Sequence, residues 1–362
     1  MKLVIFGLTV SSSWGNGHAT LWRGLTRALA GRGVQVVFFE KDAPYYARHR
    51  DLAVLPWGEL VLYGDWADVA ERARAEAASA DAVMVTSYCP DGPAASRVAV
   101  EHGRLALFYD MDTPVTLARL AAGERVDYLP PEGLGGFDLV LSYTGGEALV
   151  RLERDLGARR AAPLYGHVDP DHHRPTGVDP RYACDLSYLG TYAADRQPAV
   201  NALFAEPARL RPGQRFLLGG SGYDTAFPWT DNIFFLDHVA PPEHPAFFAS
   251  SRLTLNVTRR DMAQMGYCPS GRLFEAAACG CPILTDTWDG LDLFFEPGRE
   301  ILTAGTTAEA LAALDLAPAD LLALARRARE RTLDEHTSDH RAAELLRLLS
   351  TSPAAPRDLE EA

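Results

Sequence analysis

The sequence predicts an α/β protein made of two doubly wound parallel-sheet domains with a cleft between them. Its 362 residues exceed what one ordinary core organises, so two domains are expected. Short continuous apolar runs alternate with helical stretches along the chain, the pattern of strands buried on both faces. The alternation breaks once, between Gly166 and Pro180. There His167-Val168-Asp169-Pro170-Asp171-His172-His173-Arg174-Pro175 is polar, proline-punctuated and aperiodic, as an interdomain linker would be. The expected division is a first domain over 1–168, a linker over 169–180 and a second domain over 181–337. A helix over 338–350 is expected to pack back towards the first domain, and 351–362 to form a disordered tail.

Taken in order, residues 3–8 form an apolar strand, followed by a serine- and glycine-rich loop from Thr9 to His18. A helix from Ala19 to Gly31 ends on Gly31-Arg32-Gly33, because glycine accepts the left-handed conformation that closes helices. Val34–Phe39, Asp81–Thr86, Arg104–Tyr109 and Phe137–Ser142 repeat the strand pattern, with helices between them. Beyond the break it resumes at Asp185–Leu189, Arg215–Leu218, Asn232–Leu236, Leu253–Val257 and Pro282–Thr285. Helices rich in alanine and leucine follow at Thr307–Leu314, Pro318–Leu333 and Ser338–Leu349.

Composition excludes several classes of function. The apolar fraction of 47% and charged fraction of 23% belong to a soluble globular protein. No apolar run reaches the length that spans a bilayer, so no stable membrane insertion is expected. The opening Met1-Lys2-Leu3-Val4-Ile5-Phe6-Gly7 suits a buried strand better than a signal peptide, and a cytoplasmic location is expected. A net charge of −13 opposes polyanions, so nucleic acid is not an expected partner. The five cysteines, Cys89, Cys184, Cys268, Cys279 and Cys281, lack paired spacing and read as reduced, buried thiols. No metal site is expected from them.

The richest chemistry lies between Leu255 and Asp286. A strand, a loop, a short helix carrying Arg272 and Glu275, and a second strand require a right-handed crossover. Ligands in such sheets sit beyond the carboxyl ends of the strands. Gly271 lets a ligand approach the backbone, and the free N–H groups beside Ser270 at the helix start favour phosphate. Glu275, one turn further in, can accept hydrogen bonds from ribose hydroxyls. Its neighbours Phe274, Ala276, Ala277 and Ala278 are apolar, so the charge needs a partner or a ligand. The local chemistry is that of a nucleoside diphosphate site.

Other candidates also follow strands. Gly15 and Gly17 lie in the first loop, where small residues admit a ligand, although the spacing of a dinucleotide fingerprint is missing. His18 reads as a base, a sugar contact or a helix cap. Asp110 and Asp112 stand at a strand end, placed either to deprotonate an acceptor hydroxyl or to form a turn before Pro114. Arg196 matches a diphosphate or is simply solvated. Gly219-Gly220-Ser221-Gly222 ends a strand, and backbone at His238 and Val239 is placed to read a nucleobase edge.

Gly266-Tyr267-Cys268-Pro269-Ser270-Gly271-Arg272-Leu273-Phe274-Glu275-Ala276, with Ala278-Cys279-Gly280-Cys281-Pro282-Ile283, resembles the CgeB-like spore-maturation family of glycosyltransferases. Trp288-Asp289-Gly290-Leu291, Phe294 to Ile301, His336-Thr337 and His340-Arg341 continue the resemblance. It covers about residues 185–345 and extends, more distantly, to group 1 (family 4) transferases of the GT-B fold. It implies two Rossmann-like domains, an acceptor side in the first, and a nucleoside-diphosphate sugar held mostly by the second. No cofactor or metal is required by such enzymes. By the resemblance Glu275 takes the ribose, Arg272 or Arg196 the diphosphate, and the helix start the phosphate oxygens. Retaining relatives carry a further acid eight positions before the ribose-binding one, where this chain has Tyr267. They also carry a phosphate-binding lysine, whereas Lys2 and Lys41 are the only lysines here, so either Arg259 and Arg260 substitute or catalysis is altered, and retaining and inverting outcomes both stay open. The expected activity is transfer of a hexose from a nucleotide sugar to an acceptor that the sequence does not identify, whether glycan, small molecule or protein. Alternatives are a nucleotide-sugar epimerase of the same fold and a non-catalytic sugar-nucleotide or spore-surface protein.

Overall fold

Two wholly parallel sheets organise the chain, of which the computed structural model describes residues 1–15 and 17–352. The first contains β1 (Lys2–Gly7), β2 (Gln35–Lys41), β3 (Glu59–Tyr63), β4 (Ala82–Thr86), β5 (Ala106–Asp110), β6 (Leu139–Ser142) and β7 (Ala161–Pro163). The second contains β8 (Leu186–Leu189), β9 (Phe216–Gly219), β10 (Ile233–Leu236), β11 (Thr254–Asn256), β12 (Ile283–Thr285) and β13 (Leu302–Thr303). Their orders are β3-β2-β1-β4-β5-β6-β7 and β10-β9-β8-β11-β12-β13. Both are therefore doubly wound, with the direction of winding reversing between β1 and β4 and again between β8 and β11. Leu3 pairs with both Val36 and Ala82, which fixes β1 at the centre of its sheet.

The strands form because their apolar runs have helices to cover them on each side. Val4, Phe6, Phe39, Val85, Phe108 and Phe137 share one core. Leu186, Tyr188, Phe204, Phe216, Leu255 and Leu284 share the other. Met1–Ser13, His18–Tyr165 and residues from Arg341 onward cluster as one unit, while Trp14–Gly17 and Gly166–His340 cluster as the second. In the first unit, Arg341 Nε donates to the Tyr165 carbonyl at 3.3 Å and Arg160 Nη1 to the Thr351 carbonyl at 3.1 Å.

The proline-punctuated stretch after Gly166 is tied into the second unit. Val168 pairs with Thr337 in an isolated parallel bridge, and the Asp179 N–H donates to Ser250 Oγ at 2.8 Å. Three strands lie outside the expected set, namely β3, β7 and β13. β3 has exposed Glu59 and Leu62, β7 has three residues ending in Pro163, and β13 has two half-buried residues, so none presents a continuous apolar run. The closing helices are Thr307–Leu314, Pro318–Glu335 and Ser338–Ser350. Thr306 starts the first of them through a capping box with Glu309. Of the tail expected to be disordered over 351–362, Thr351 and Ser352 are instead held in place, the Thr351 carbonyl accepting from Arg160 Nη1 at 3.1 Å and Ser352 Oγ donating to the Leu348 carbonyl at 2.8 Å. Residues 353–362 lie outside the described residues.

Candidate functional site

In the second unit the groups predicted to bind phosphate and ribose gather at the switch point of the sheet. In open α/β sheets the crevice at such a point lies beyond the carboxyl ends of the strands. Arg196 follows β8, Arg259 follows β11, and the helix Gly271–Ala278 precedes β12. Ser270 caps that helix with extended backbone (φ −65°, ψ 137°), and its side chain makes no capping hydrogen bond. The Leu273 N–H donates to the Ser270 carbonyl at 3.0 Å, which leaves the Gly271 and Arg272 N–H groups without a capping side chain.

Arg272 and Glu275 stand three residues apart on this helix, on neighbouring positions of one face. Glu275 is 8% exposed, yet its carboxylate has no hydrogen bond from any described residue. Its nearest nitrogens belong to His173 and His244, each at 4.0 Å. Burial raises the Glu275 carboxyl above its ordinary range, and Arg272 pulls the other way. Arg272 in turn is lowered by its own burial and by Arg196. It too makes no ion pair or hydrogen bond with the described residues. A half-buried guanidinium and a buried carboxylate are thus both short of partners among the described residues at one helix start, an arrangement that costs free energy unless another group completes it.

Arg196 is held differently. Its Nη2 donates to the Thr191 carbonyl at 2.5 Å, while Nε is buried and unpartnered. Gly190 makes room for the Tyr188 ring, since an added Cβ would fall 2.9 Å from the Tyr188 hydroxyl. Gly220, at φ +133°, lets the loops after β8 and β9 approach, because a Cβ there would lie 2.2 Å from the Gly190 carbonyl oxygen. Arg259 is paired already, its Nε 3.4 Å from Asp195 Oδ2. His238 is exposed, and the Val239 carbonyl accepts from His244 Nε2 at 3.1 Å. Gly15 and Gly17 are exposed, with Gly15 at φ +67°. Tyr267 adopts φ +50°, its N–H bonded to the Asp289 carbonyl at 2.6 Å. Its ring lies against Gly290, where a Cβ would come within 2.4 Å. That position therefore holds a packed phenol where retaining relatives would keep an acid.

Two residues that sequence patterning missed complete this region. His173, in the proline-punctuated stretch, and His244, at the start of helix His244–Ala249, face Glu275. Burial holds both imidazoles neutral, His173 well below its ordinary range and His244 down to about 3. Their separation from each other and from Glu275 in sequence left no motif to find.

The first unit gathers a second cluster, at its own switch point. His18 Nε2 lies 3.8 Å from Asp112 Oδ2. Burial lowers the His18 pKa despite the Asp112 charge, so the imidazole is neutral and one nitrogen keeps a lone pair. Asp110 is fully buried, accepts the Asp112 N–H at 3.1 Å, and is pushed by burial up to about 6. Tyr88, which follows β4, was not foreseen. It sits at φ +63°, with its ring 5.7 Å from that of His18 and 5.0 Å from that of Tyr128. Burial and the hydrogen-bonded Asp112 both push its phenol above the ordinary range. Left-handed backbone at a non-glycine residue costs about 1–3 kcal/mol and clusters at functional sites. The loop ahead of His18 is fastened by Glu40, which accepts from Thr9 Oγ1 (2.9 Å), Val10 N (2.8 Å), Ser11 N (3.0 Å) and Ser11 Oγ (2.5 Å).

Residues 196–347 match a protein family described as glycosyl transferase-like, a stretch that holds Arg196, Arg272 and Glu275. Comparison with curated protein sequences gives no match. Among solved structures, the chain is similar to an alpha-glucosyltransferase in complex with UDP, at TM-score 0.72 and 13% identity, covering 97% of this chain and 100% of that one. It is similar to HepE of Anabaena in complex with UDP and glucose, at TM-score 0.68 and 13% identity over 97% and 100% of the two chains. Sucrose-phosphate synthase of Thermosynechococcus elongatus gives TM-score 0.67 and 15% identity over 96% and 98%. The shared fold is the GT-B arrangement of two Rossmann-like domains.

Proposed function

We propose that the protein is a glycosyltransferase that moves a hexose from a nucleoside-diphosphate sugar to an acceptor hydroxyl. One observation carries the reading, namely Arg272 and Glu275, opposite charges on one helix start, both without hydrogen-bond partners among the described residues. A nucleoside diphosphate supplies what each lacks: ribose hydroxyls donate to Glu275, and diphosphate oxygens accept from Arg272, Arg196 and the N–H groups at Ser270–Gly271. Arg259, paired with Asp195, is the reserve cation. The match of residues 196–347 to a glycosyl transferase-like family supports the assignment, and the motif from Gly266 to Ala276 supports a CgeB-like member. Neighbours of this fold solved with UDP make uridine the first base to test.

In the reaction the anomeric carbon–oxygen bond to the diphosphate breaks, and the acceptor oxygen bonds to that carbon. The acceptor proton passes to the neutral His18 beside Asp112 if the product inverts, with Asp110 holding the Asp112 backbone in place. Cations and helix N–H groups offset the charge growing on the leaving diphosphate. With retention, Tyr267 provides no carboxylate, and same-face attack relies on positioning. No further cofactor enters the scheme. The acceptor is a glycan, a small molecule or a protein. One neighbour is solved with DNA, but a net charge of −13 disfavours a polyanionic acceptor for this chain. Among the described residues no helix is long and apolar enough to cross a membrane.

The test is a panel of UDP-, GDP- and ADP-sugars, read by thermal shift and by release of free diphosphate with and without candidate acceptors. Stabilisation by one nucleotide class with acceptor-dependent diphosphate release supports the proposal. Conversion of the donor to its epimer without acceptor, or binding without turnover over the whole panel, overturns it.

A further inference from the structure

We propose that His173, His244 and Glu275 form a binding site for a divalent transition-metal ion of the zinc type, whose occupancy excludes a nucleotide from Glu275. The exclusion, though not the metal site itself, rests on the donor reading given above.

The ligand atoms converge. His173 Nε2 and His244 Nδ1 are 3.5 Å apart, and each lies 4.0 Å from an oxygen of Glu275. All three atoms fall within 4.8 Å of one another. Ligands bound at about 2.0–2.2 Å around a tetrahedral ion stand roughly 3.4 Å apart. The two imidazoles already meet that spacing, whereas the 4.0 Å approaches are to Oε1 and Oε2 respectively, so one oxygen serving both would have to close by on the order of 1 Å. Two imidazoles with one carboxylate form a donor set suited to zinc, cobalt and nickel, with a remaining position for water.

Outer contacts orient the set. His244 Nε2 faces the Val239 carbonyl at 3.1 Å, and a carbonyl only accepts, so Nε2 carries the proton. Nδ1 therefore presents a lone pair towards Glu275, the second-shell device by which proteins fix a metal-binding tautomer. In the free protein His173 Nε2 donates to that His244 lone pair at 3.5 Å, so a metal ion would displace this proton to the buried, unpartnered His173 Nδ1 before Nε2 could ligate. The His172 ring packs edge-on against that of His173 at 4.7 Å, and its Nε2 bonds to the Pro241 carbonyl at 2.9 Å. The three ligands thus sit on separately anchored segments. Glu275 and His244 keep side-chain exposures of 11% and 13%, which leaves an entry path.

Arg272 gives the proposal a distinctive signature. Its charge acts on both His244 and Glu275. It attracts a diphosphate and repels a dication, so neutralising it moves the two affinities in opposite directions.

The full chain, without a histidine tag and stripped with a chelator, is titrated with Co²⁺ alone. Calorimetry and the visible absorption of low-coordinate cobalt are read together. One ion per chain with a visible band is expected, and His173→Asn and His244→Gln should each weaken binding at least tenfold. Arg272→Met should tighten Co²⁺ about two- to tenfold while weakening UDP, consistent with a repulsion of order 1 kcal/mol. Circular dichroism confirms that each variant is folded, and any unfolded one is replaced by His173→Gln or His244→Asn. Absence of a cobalt band up to millimolar metal, or equal binding by both histidine variants, overturns the metal site. Saturating UDP should raise the apparent Kd for Co²⁺ in proportion to its concentration. Metal binding that UDP leaves unchanged overturns the exclusion, whereas UDP binding without metal binding overturns only the metal site.

Discussion

Two buried glutamates, one in each unit, show how differently the same topology is used. Glu40, at the end of β2, accepts four hydrogen bonds and fastens the loop ahead of His18. Glu275, on the helix before β12, accepts none from the described residues and faces two neutral imidazoles. A satisfied buried carboxylate holds structure together. An unsatisfied one costs free energy unless another group completes it. Both lie near the point where their sheet changes winding direction, so topology chose the place and hydrogen bonding chose the role.

The comparison breaks most severely if Glu40 proves dispensable. Glu40→Ala should destabilise the first unit by about 3–4 kcal/mol, since four donors lose a charged acceptor. Chemical denaturation followed by a first-unit probe reads this directly, and a loss under 1 kcal/mol would contradict the fastening role. Asp110 is the next test. Its folded pKa of about 6 exceeds the ordinary 3.8, so the folded state binds the proton more tightly than the unfolded chain. Stability therefore falls as pH rises from about 4 to 6, by up to about 3 kcal/mol. Asp110→Asn should remove that slope, gaining over the parent at pH 7.5 and not at pH 4. Melting curves across the pH range decide it.

Glu275→Ala should weaken nucleotide binding at least tenfold, in line with the roughly 1.5–3 kcal/mol of a hydrogen bond to a charged group. Unlike Glu40→Ala, it should leave the ligand-free protein as stable as before or more so. Isothermal titration with UDP and an apo melting curve test both halves, and unchanged affinity would sink the assignment. The smallest effect serves as a control inside the second unit. Thr306→Ala removes a capping box distant in sequence from the site and should cost about 1 kcal/mol of stability without altering UDP affinity.

Much of the fold was legible because long-range order here follows local pattern. Strands such as Leu3–Phe6 and Val83–Val85 are buried on both faces and read as apolar runs. The edge strands Glu59–Tyr63 and Leu302–Thr303 carry half-exposed residues and left no such trace. In the site, Arg272 and Glu275 were visible because one short helix carries both, with Ser270 and Gly271 at its start. Tyr88 was not, since its ring meets those of His18 and Tyr128, which are far from it in sequence.

By itself, the sequence determined the class of fold, the two-part organisation and the short helix that carries both Arg272 and Glu275. These depend on residue type and spacing within a few turns of chain. Tertiary structure alone decided which charges are satisfied. Glu40 and Glu275 are the same residue in similarly apolar surroundings, and no local pattern says that one finds four donors and the other none. That difference arises where residues 9–11 meet residue 40, and where residues 173, 244 and 275 converge. Hydrogen bonding is directional and short in range, so it is settled only after distant segments are brought together.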